Sequence, residues 1–165
     1  MTDKELQDIY KLKNIIRYNT RLRLKNESVA EHSFYVALLS LMICDDYNIS
    51  EDISYKAVIK ALLHDMPEIE TNDITHDTKE RLNLRPLLKK YEDEYYERNF
   101  PKHLDVMIDS DELVTTIVDL ADSMSVKQYV MSEIELGHDS SDMKVILDDA
   151  NYRILMYTKK LENLL

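Results

Sequence analysis

The sequence predicts an all-α protein that folds as one compact domain. Its 165 residues fit one domain better than two, because a chain of this length already buries most of a core. One Gly, three Pro and no Trp leave few of the residues that β-hairpin turns use. Apolar residues also recur at helical spacing through most of the chain. We therefore expect a bundle of about six main helices over residues 1–165.

The N-terminal part of the chain predicts two helices joined by a basic segment. Thr2 and Glu5 have the spacing of a capping box, and apolar residues then follow at helical intervals to an expected end near Tyr18. The basic segment that follows has no apolar period. Ser28 and Glu31 form a second capping signature, which predicts that the next helix begins there and continues through an apolar run.

The middle of the chain predicts two further helices. The third carries an apolar stripe that Pro67 stops or bends, since proline lacks the amide hydrogen that a continuing helix needs. Residues 68–76 have the composition of a loop, and Asp77 and Glu80 are placed to cap a fourth, strongly charged helix that Pro101 closes. The apolar residues assigned to these helices are Val58, Ile59, Leu62, Leu63 and Met66 in the third and Leu87, Leu88, Tyr91 and Tyr95 in the fourth.

Two helices are predicted in the C-terminal part. The fifth begins near Asp109 and ends at Gly137, because glycine readily adopts the left-handed backbone conformation that terminates helices. Its expected buried face consists of Val114, Ile117, Val118, Ala121, Ser125 and either Gln128 or Tyr129. The sixth helix repeats apolar residues to the end of the chain, at Met143, Ile146, Leu147, Ala150, Ile154, Tyr157 and Leu161.

Composition narrows the class of function. A net charge of −11 disfavours binding to duplex nucleic acid and to anionic membranes, whose charges have the same sign. It still permits a small phosphorylated substrate, because a few cations reverse the sign of one pocket. Cys44 lies in an apolar run and is expected to be a core residue of a protein from a reducing compartment. The N-terminal residues lack a secretory pattern and no apolar run has the length of a membrane span, so we expect a cytoplasmic protein.

The segment LLHDMPEIETND, residues 62–73, places several ionisable side chains directly after an apolar helix. Charges at a buried helix end are costly unless they are paired or bind a metal ion. His64 and Asp65 are neighbours about 100° apart around a helix, so both can reach an ion above the groove between them. An isolated pair of this kind is more often a core histidine beside an exposed aspartate, so a metal site needs further ligands.

Two more residues are candidate ligands of the same ion. His32 stands at the expected start of the second helix, on a run apolar enough to be core. Imidazoles and carboxylates together suit divalent ions such as Zn, Mn, Co, Ni or Fe. On the fifth helix, Asp122 lies about a quarter turn from the middle of the apolar stripe, whereas Asp119 lies nearly opposite. We therefore expect Asp122 to reach the interior and Asp119 to be solvated or paired on the surface.

The motifs VAEHS, LLHDMPE and LAD together resemble the His, His-Asp, Asp signature of HD-domain metal-dependent phosphohydrolases. Within that superfamily the chain looks most like the YfbR-type 5′-deoxynucleotidases and the small phage HD-domain deoxynucleotide triphosphohydrolases. The resemblance extends over most of the chain, from about residue 17 to about residue 137. It implies that His32, His64, Asp65 and Asp122 bind one divalent transition metal ion per subunit, and it allows for a further Mg²⁺ ion.

Further residues match family positions around these motifs. Arg17, fifteen residues before the first histidine, is implied to anchor the phosphate. Glu68 lies one turn beyond His64, where its carboxylate can handle a proton of the attacking water or of the leaving oxygen. Asp73 is implied to contact the sugar or to assist the leaving group. Lys79, six residues beyond Asp73, is assigned to the substrate.

Two segments depart from the family pattern. Tyr18 stands where the deoxynucleotidases commonly have a tryptophan beside the 2′ side of the sugar, so Tyr18 is assigned to the substrate while sugar and base preference stay open. Thr75, His76 and Asp77 replace a proline-rich loop. His76 and Asp77 form a second His-Asp pair, but Asp77 suffices as a helix cap, and we expect His76 to lie outside the metal site. Glu70 has no family role and is expected to be solvated.

Three functions are compatible with these residues. The first is a 5′-deoxynucleotidase that hydrolyses deoxynucleoside 5′-monophosphates (dNMPs) to deoxynucleoside and inorganic phosphate. The second is a hydrolase of dNTPs, for example dATP, which releases triphosphate with nucleoside or dNMP with pyrophosphate. The third is a non-catalytic helical module whose acidic surface binds a protein partner. Because relatives are often dimers, the resemblance also implies a homo-oligomer.

Overall fold

The computed structural model describes residues 3–165, without the side chains of Lys4 and Glu5. The capping box predicted for Thr2 and Glu5 therefore lies outside the described residues. Within that range the regular secondary structure is helical, which confirms the all-α prediction. The helices are α1 (Asp3–Lys11), α2 (Val29–Asp46), α3 (Glu51–Leu63), α4 (Glu68–Thr71), α5 (His76–Arg81), α6 (Arg85–Asn99), α7 (Leu104–Met107), α8 (Glu112–Glu135) and α9 (Ser141–Leu164).

Helix α8 is the central element and packs against α2, α3 and α9. Its predicted inner face is buried as expected, with Tyr129 rather than Gln128 completing it. Gly137 follows the end of α8 with a φ of +101°, and its amide donates to the carbonyl of Ile134, as the predicted helix stop requires. The predicted apolar face of α9 is also confirmed, since Met143, Ala150 and Leu161 are buried.

Helix α2 begins with the predicted capping box. The Ser28 hydroxyl accepts from the Glu31 amide at 3.2 Å, and the Glu31 carboxylate accepts from the Ser28 amide at 2.8 Å. Its inner face is buried and includes Cys44, a free thiol as predicted. The outer face is exposed although it is apolar; we call its five residues the α2 stripe. They are Phe34, Tyr35, Leu38, Leu41 and Met42.

The first helix is shorter than predicted. It ends at Lys11, a 3₁₀ turn follows at Leu12–Asn14, and the chain is then extended rather than helical. An isolated antiparallel bridge joins Ile16 to Ser28, so residues 17–28 form a loop with adjacent ends, the 17–28 loop. The expected end near Tyr18 was wrong, because main-chain hydrogen bonds to the far end of this loop replace those of a helix.

The third helix also ends earlier than predicted, at Leu63 rather than Pro67. Its buried residues are Ala57 and Ala61, whereas Leu62 is 41% exposed. Small residues face inward because α3 packs against both α2 and α8. A turn follows, and α4 begins directly after Pro67, so the predicted loop at residues 68–76 is helical in its first part.

The fourth predicted helix consists of two, α5 and α6. Asn83 separates them with a φ of +50°, a left-handed conformation that asparagine tolerates better than most residues. Pro86 lies in the first turn of α6, where its missing amide hydrogen costs nothing. Asp77 and Glu80, the predicted caps, lie inside α5, and the short helix α7 was not predicted. None of the helices in the described range has the length and apolar character needed to span a membrane.

The capping box predicts a local stability effect at the start of α2. Ser28→Ala removes a hydroxyl that accepts from the Glu31 amide, so we expect a loss of about 1 kcal/mol of unfolding free energy. Urea denaturation followed by circular dichroism measures this loss. Ser50→Ala is the matched control, because Ser50 precedes α3 without a side-chain capping bond. An equal loss in both variants would contradict the role assigned to Ser28.

Candidate active site

Four side chains from three parts of the bundle meet at one point, and we call them the four-residue cluster. His32 comes from the first turn of α2, His64 and Asp65 follow α3, and Asp122 comes from the middle of α8. The Nε2 atom of His32 lies 3.0 Å from Asp122 Oδ1 and 3.7 Å from Asp65 Oδ2. The Nε2 atom of His64 lies 3.1 Å from the same Asp65 oxygen. The sequence-predicted ligands are thus adjacent.

The geometry of the cluster fits a divalent metal ion. Ligands bound at about 2.0–2.2 Å stand roughly 3.0–3.6 Å from one another, close to the separations of 3.0, 3.1 and 3.7 Å found here. Ligand atoms of His32, His64 and Asp65 all lie within 4.8 Å of one another, and Asp122 adjoins them through His32. The Nε2 atom of His32 is buried and has no hydrogen-bond partner, since the nearby Asp122 oxygen is not aligned for one. A metal ion would satisfy this nitrogen once the ring proton lies on Nδ1.

The remaining ring nitrogens are held by neighbouring groups. His64 Nδ1 donates to the carbonyl of Ala61 at 2.7 Å, which turns the Nε2 atom toward the cluster. His32 Nδ1 lies 2.7 Å from Arg17 Nη1 and 3.2 Å from Ser125 Oγ. Sequence reasoning assigned Ser125 only to the buried face of its helix. Its position one turn after Asp122 was the available signal that it could contact the site.

The charges of the cluster follow from its burial and its pairing. Burial together with the Arg17 cation lowers the pKa of His32, which keeps this ring neutral. Burial alone would lower the pKa of His64, but the adjacent Asp65 carboxylate raises it to about 9. Burial alone would raise the pKa of both aspartates, but His64 lowers that of Asp65, and His32 lowers that of Asp122 to about 2. Both carboxylates are therefore ionised at neutral pH.

Glu68 has the opposite protonation state from the two aspartates. Burial, followed by the charges of Asp65 and Asp73, raises the pKa of Glu68 to about 9. Its Oε2 atom is buried without a hydrogen-bond partner. At neutral pH the side chain is therefore a carboxylic acid with an unused oxygen beside the cluster, as a proton donor requires.

A cavity of about 650 Å³ opens over the cluster and Glu68. This volume is in the range of small-molecule sites. Besides the residues already described, its wall includes an apolar strip on α8 and α9 and several charged residues. The strip consists of Val126, Val145, Ile146 and Ala150, and the charged residues include Arg21, Lys79, Arg85, Asp142, Asp149 and Arg153. The sequence did not predict the lining residues from α9, because nothing in the local pattern indicates that the first half of this helix reaches the cavity.

Arg17, Tyr18 and Asp73 form one side of the cavity. Arg17 is partly buried beside Glu27, with 2.8 Å between Nη1 and Oε2, and its guanidinium lies 5.3 Å from the centre of the Tyr18 ring. Asp73 accepts from the main-chain amide of Tyr18 at 2.9 Å. Tyr18 has a φ of +56°, and its ring stacks on that of Tyr129. The carboxylate of Asp73 therefore fixes the backbone that carries Arg17 and Tyr18.

The other ionisable residues singled out in the sequence, one histidine and three acids, lie outside the four-residue cluster. His76 is half exposed at the cavity rim, and Asp77 pairs with Arg21, so the second His-Asp pair does not join the ligands. Glu70 is exposed, as expected for a solvated residue, and it also accepts from Tyr91 at 2.5 Å and pairs with Arg98. Asp119 was expected on the surface, but it is partly buried, and burial raises its pKa.

Comparisons with known proteins agree with this geometry. The family model described as HD domain matches residues 9–117, about two thirds of the chain. No curated protein matches the sequence. Thirteen solved chains match in structure.

Three of these solved structures cover most of the chain. An HD-domain phosphohydrolase from Listeria innocua has a TM-score of 0.78 and 21% identity, and the match covers 94% of this chain and 81% of that one. The cyanophage S-2L HD phosphohydrolase DatZ, solved with dA and one catalytic Zn²⁺ ion, has a TM-score of 0.67, 16% identity and coverage of 99% and 98%. A protein from Pyrococcus horikoshii has a TM-score of 0.77, 19% identity and coverage of 98% and 96%.

Metal binding is predicted to release a proton. Since the pKa of His64 is about 9 without metal, one ion should displace about one proton per chain, and affinity should rise about tenfold per pH unit between about pH 6 and pH 8. Calorimetric titration with Zn²⁺ in two buffers of different ionisation enthalpy measures both quantities. His76→Ala should leave the stoichiometry of one ion unchanged, whereas Asp122→Ala should weaken binding strongly. Equal weakening in both variants would contradict the cluster as the metal site.

Proposed function

Because the chain belongs to the HD domain family, we propose that it is a metal-dependent phosphohydrolase that acts on dNMPs. The observation that carries this proposal is the buried, unpartnered Nε2 of His32 facing two ionised carboxylates at the floor of a nucleotide-sized cavity. His32, His64, Asp65 and Asp122 would hold one divalent transition metal ion, namely Zn, Mn, Co, Ni or Fe, with room for a further Mg²⁺. The bound Zn²⁺ of DatZ supports the same type of site.

A bound cation would lower the pKa of a water molecule and screen the charge of the phosphate. Arg17 would bind the phosphate, because its planar guanidinium is always protonated and presents paired donors. A guanidinium only donates, so His32 Nδ1 accepts from Arg17 in this structure. When Arg17 turns to a phosphate, Nδ1 can carry a proton and donate to Ser125 Oγ, which leaves the Nε2 lone pair facing the cluster.

Glu68 would supply the proton that the leaving group needs. Water adds its oxygen to phosphorus while the bond between phosphorus and the 5′ oxygen breaks, and the departing oxygen takes the proton of the Glu68 carboxylic acid. The proton released by the attacking water restores Glu68. The products are inorganic phosphate and the deoxynucleoside. The high pKa of Glu68 supports this role, because it keeps the acid protonated at neutral pH.

The remaining walls of the cavity suit a nucleoside. Tyr18 and Asp73 lie beside Arg17, where they would contact the sugar, and the apolar strip offers a surface for the base. That strip belongs to α8 and α9, and Tyr18 packs against the same apolar cluster as its residues Val126 and Ile146. The dA bound to DatZ supports a deoxynucleoside in a site of this kind.

The charges of the cavity favour one phosphate over three. Arg21 pairs with Asp77 and Asp142, Arg85 pairs with Glu80, and Arg153 pairs with Asp149 at 2.9 Å. These cations are already neutralised, so a triphosphate would have to displace carboxylates. The alternative, a dNTP hydrolase, is favoured by Lys79, which lines the cavity and has no carboxylate within ion-pair distance among the described residues. We propose a cytoplasmic role in nucleotide metabolism for either activity.

We also propose that the protein is a homodimer that pairs through the α2 stripe. The stripe occupies one face of about two and a half helical turns, with exposures between 41% and 60%, and its segment, residues 33–44, contains no charged residue. Two chains that each carry a net charge of −11 repel one another over most of their surfaces. An uncharged apolar face lets two copies of the chain approach without that repulsion. In a twofold dimer the α2 stripe of one copy would pack against the α2 stripe of the other.

A substrate panel tests the proposed activity. Protein stripped of metal and then loaded with Co²⁺, Mn²⁺ or Zn²⁺ should release inorganic phosphate from dNMPs, with lower kcat/KM for NMPs and dNTPs. Phosphate assays and chromatography of the products separate the alternatives, because triphosphate or pyrophosphate would identify a dNTP hydrolase. Absence of all these products with every ion would contradict a phosphohydrolase and leave the binding module as the remaining function.

Replacement of Glu68 tests the assignment of the proton donor. Both Glu68→Gln and Glu68→Ala should lower kcat by about 10²-fold to 10⁴-fold, because neither side chain can donate the acidic proton. Metal stoichiometry should stay at one ion per chain. Glu70→Gln is the control, since Glu70 pairs with Tyr91 and Arg98 away from the cluster. Full activity of Glu68→Gln on a substrate with a poor leaving group would show that Glu68 is not the donor.

A charge in the α2 stripe tests the dimer. Light scattering at micromolar concentration should give twice the chain mass of 19.5 kDa for the wild-type protein and the single chain mass for Leu38→Asp. Leu155→Asp is the matched control, because Leu155 is 73% exposed on α9 and lies outside the stripe. A monomeric wild-type protein, or a dimer in Leu38→Asp, would contradict this interface.

A further inference from the structure

Glu133 is a buried carboxylate that the proposed reaction does not use. It is fully buried near the C-terminal end of α8. Its two oxygens accept from the main-chain amides of Leu24 and Lys25, both at 2.7 Å, and one of them also lies 3.0 Å from His138 Nδ1. Burial alone would raise its pKa, but these hydrogen bonds lower it, so the group is an anion. A buried carboxylate is stable only while its hydrogen-bond partners stay in place, and two of these partners are main-chain amides of the 17–28 loop.

Tyr129 contacts the same loop one turn earlier on α8. Its hydroxyl donates to the carbonyl of Lys25 at 3.1 Å. Its ring lies parallel to that of Tyr18, with 4.9 Å between centres and 6° between planes. Tyr129 and Glu133 therefore hold both the middle of the loop and the aromatic ring at its start.

The loop does not hold its own shape through a buried core. Leu22 and Leu24 are 86% and 60% exposed, so its apolar side chains contribute little burial. Tyr18 has a φ of +56°, a conformation that costs an aromatic residue free energy and persists only when the surroundings enforce it. Hydrogen bonds hold Arg17 and Tyr18 in place instead. One set lies within the loop, between Arg17 and Glu27, and the other comes from outside it, from Asp73 and from the α8 residues Tyr129 and Glu133.

Helix α8 connects this support to the four-residue cluster. Asp122, Ser125, Tyr129 and Glu133 follow one another at helical spacing on the side of α8 that faces the site and the loop. We propose that Glu133, together with Tyr129, is a positioning residue that sets the place of Arg17 and Tyr18 relative to the cluster. The consequence for phosphate binding rests on the function proposed above.

Hydrogen exchange and steady-state kinetics on metal-loaded protein test this inference together. Glu133→Gln replaces one carboxylate oxygen with an NH₂ that faces one of the two main-chain donors and removes the negative charge that both donors share. Exchange of the Leu24 and Lys25 amides should therefore become about 10-fold to 100-fold faster. The KM for dAMP should rise at least about tenfold through displacement of Arg17, while Zn²⁺ affinity stays unchanged. Tyr129→Phe, which removes only the hydroxyl that contacts Lys25, should give smaller changes in the same direction. It is the variant to measure if Glu133→Gln does not fold.

Thr116→Val is the matched control. Thr116 is fully buried on the same helix and donates to the carbonyl of Glu112, away from the loop. It should lower stability without changing loop exchange or KM. Unchanged exchange of the loop in both Glu133→Gln and Tyr129→Phe would overturn the inference, as would faster exchange with an unchanged KM. If the wild-type protein hydrolyses no nucleotide, the proposed function is wrong. Faster loop exchange in the variants would then still support Glu133 and Tyr129 as positioning residues.

Discussion

Two imidazoles and two carboxylates meet at one partly buried point, where α2, the end of α3 and α8 hold them together. Ionised carboxylates in an interior are costly unless cations or a metal ion compensate them. In this protein, His64 compensates Asp65, His32 lies against Asp122, and Arg17 adds positive charge from the side. The Nε2 atom of His32 is buried without a hydrogen-bond partner, so this part of the cluster is not fully satisfied without an ion.

Neighbouring acids in the cavity carry opposite protonation states for a physical reason. Asp122 has a pKa of about 2 because the His32 ring lies against it. Glu68 has a pKa of about 9 because it is withdrawn from water and lies near the carboxylates of Asp65 and Asp73. The same cavity floor therefore holds ionised carboxylates beside a neutral carboxylic acid. Such a separation of pKa values between neighbouring acids is typical of sites that use one acid as an anion and the other as a proton donor.

Helix α8 relates the four-residue cluster to the loop that carries Arg17. It presents Asp122 and Ser125 to the cluster and, farther along, Tyr129 and Glu133 to the 17–28 loop. A helix is stiff over this distance, so the loop takes its position from the same element that supplies Asp122. This explains how a loop with exposed leucines can place a guanidinium beside a buried histidine.

The sequence alone determined the helical class, the capping box at Ser28 and the stop at Gly137, because each depends on local backbone chemistry or on helical periodicity. It placed Asp122 rather than Asp119 beside His32 for the same reason. The set of His and Asp residues that converge came from the resemblance of the sequence motifs to a known family. Only the tertiary structure decided the end of α1, the break at Asn83 and the contributions of Ser125, Glu133 and α9. These depend on hydrogen bonds and packing between segments far apart in the chain, and no local pattern records such contacts.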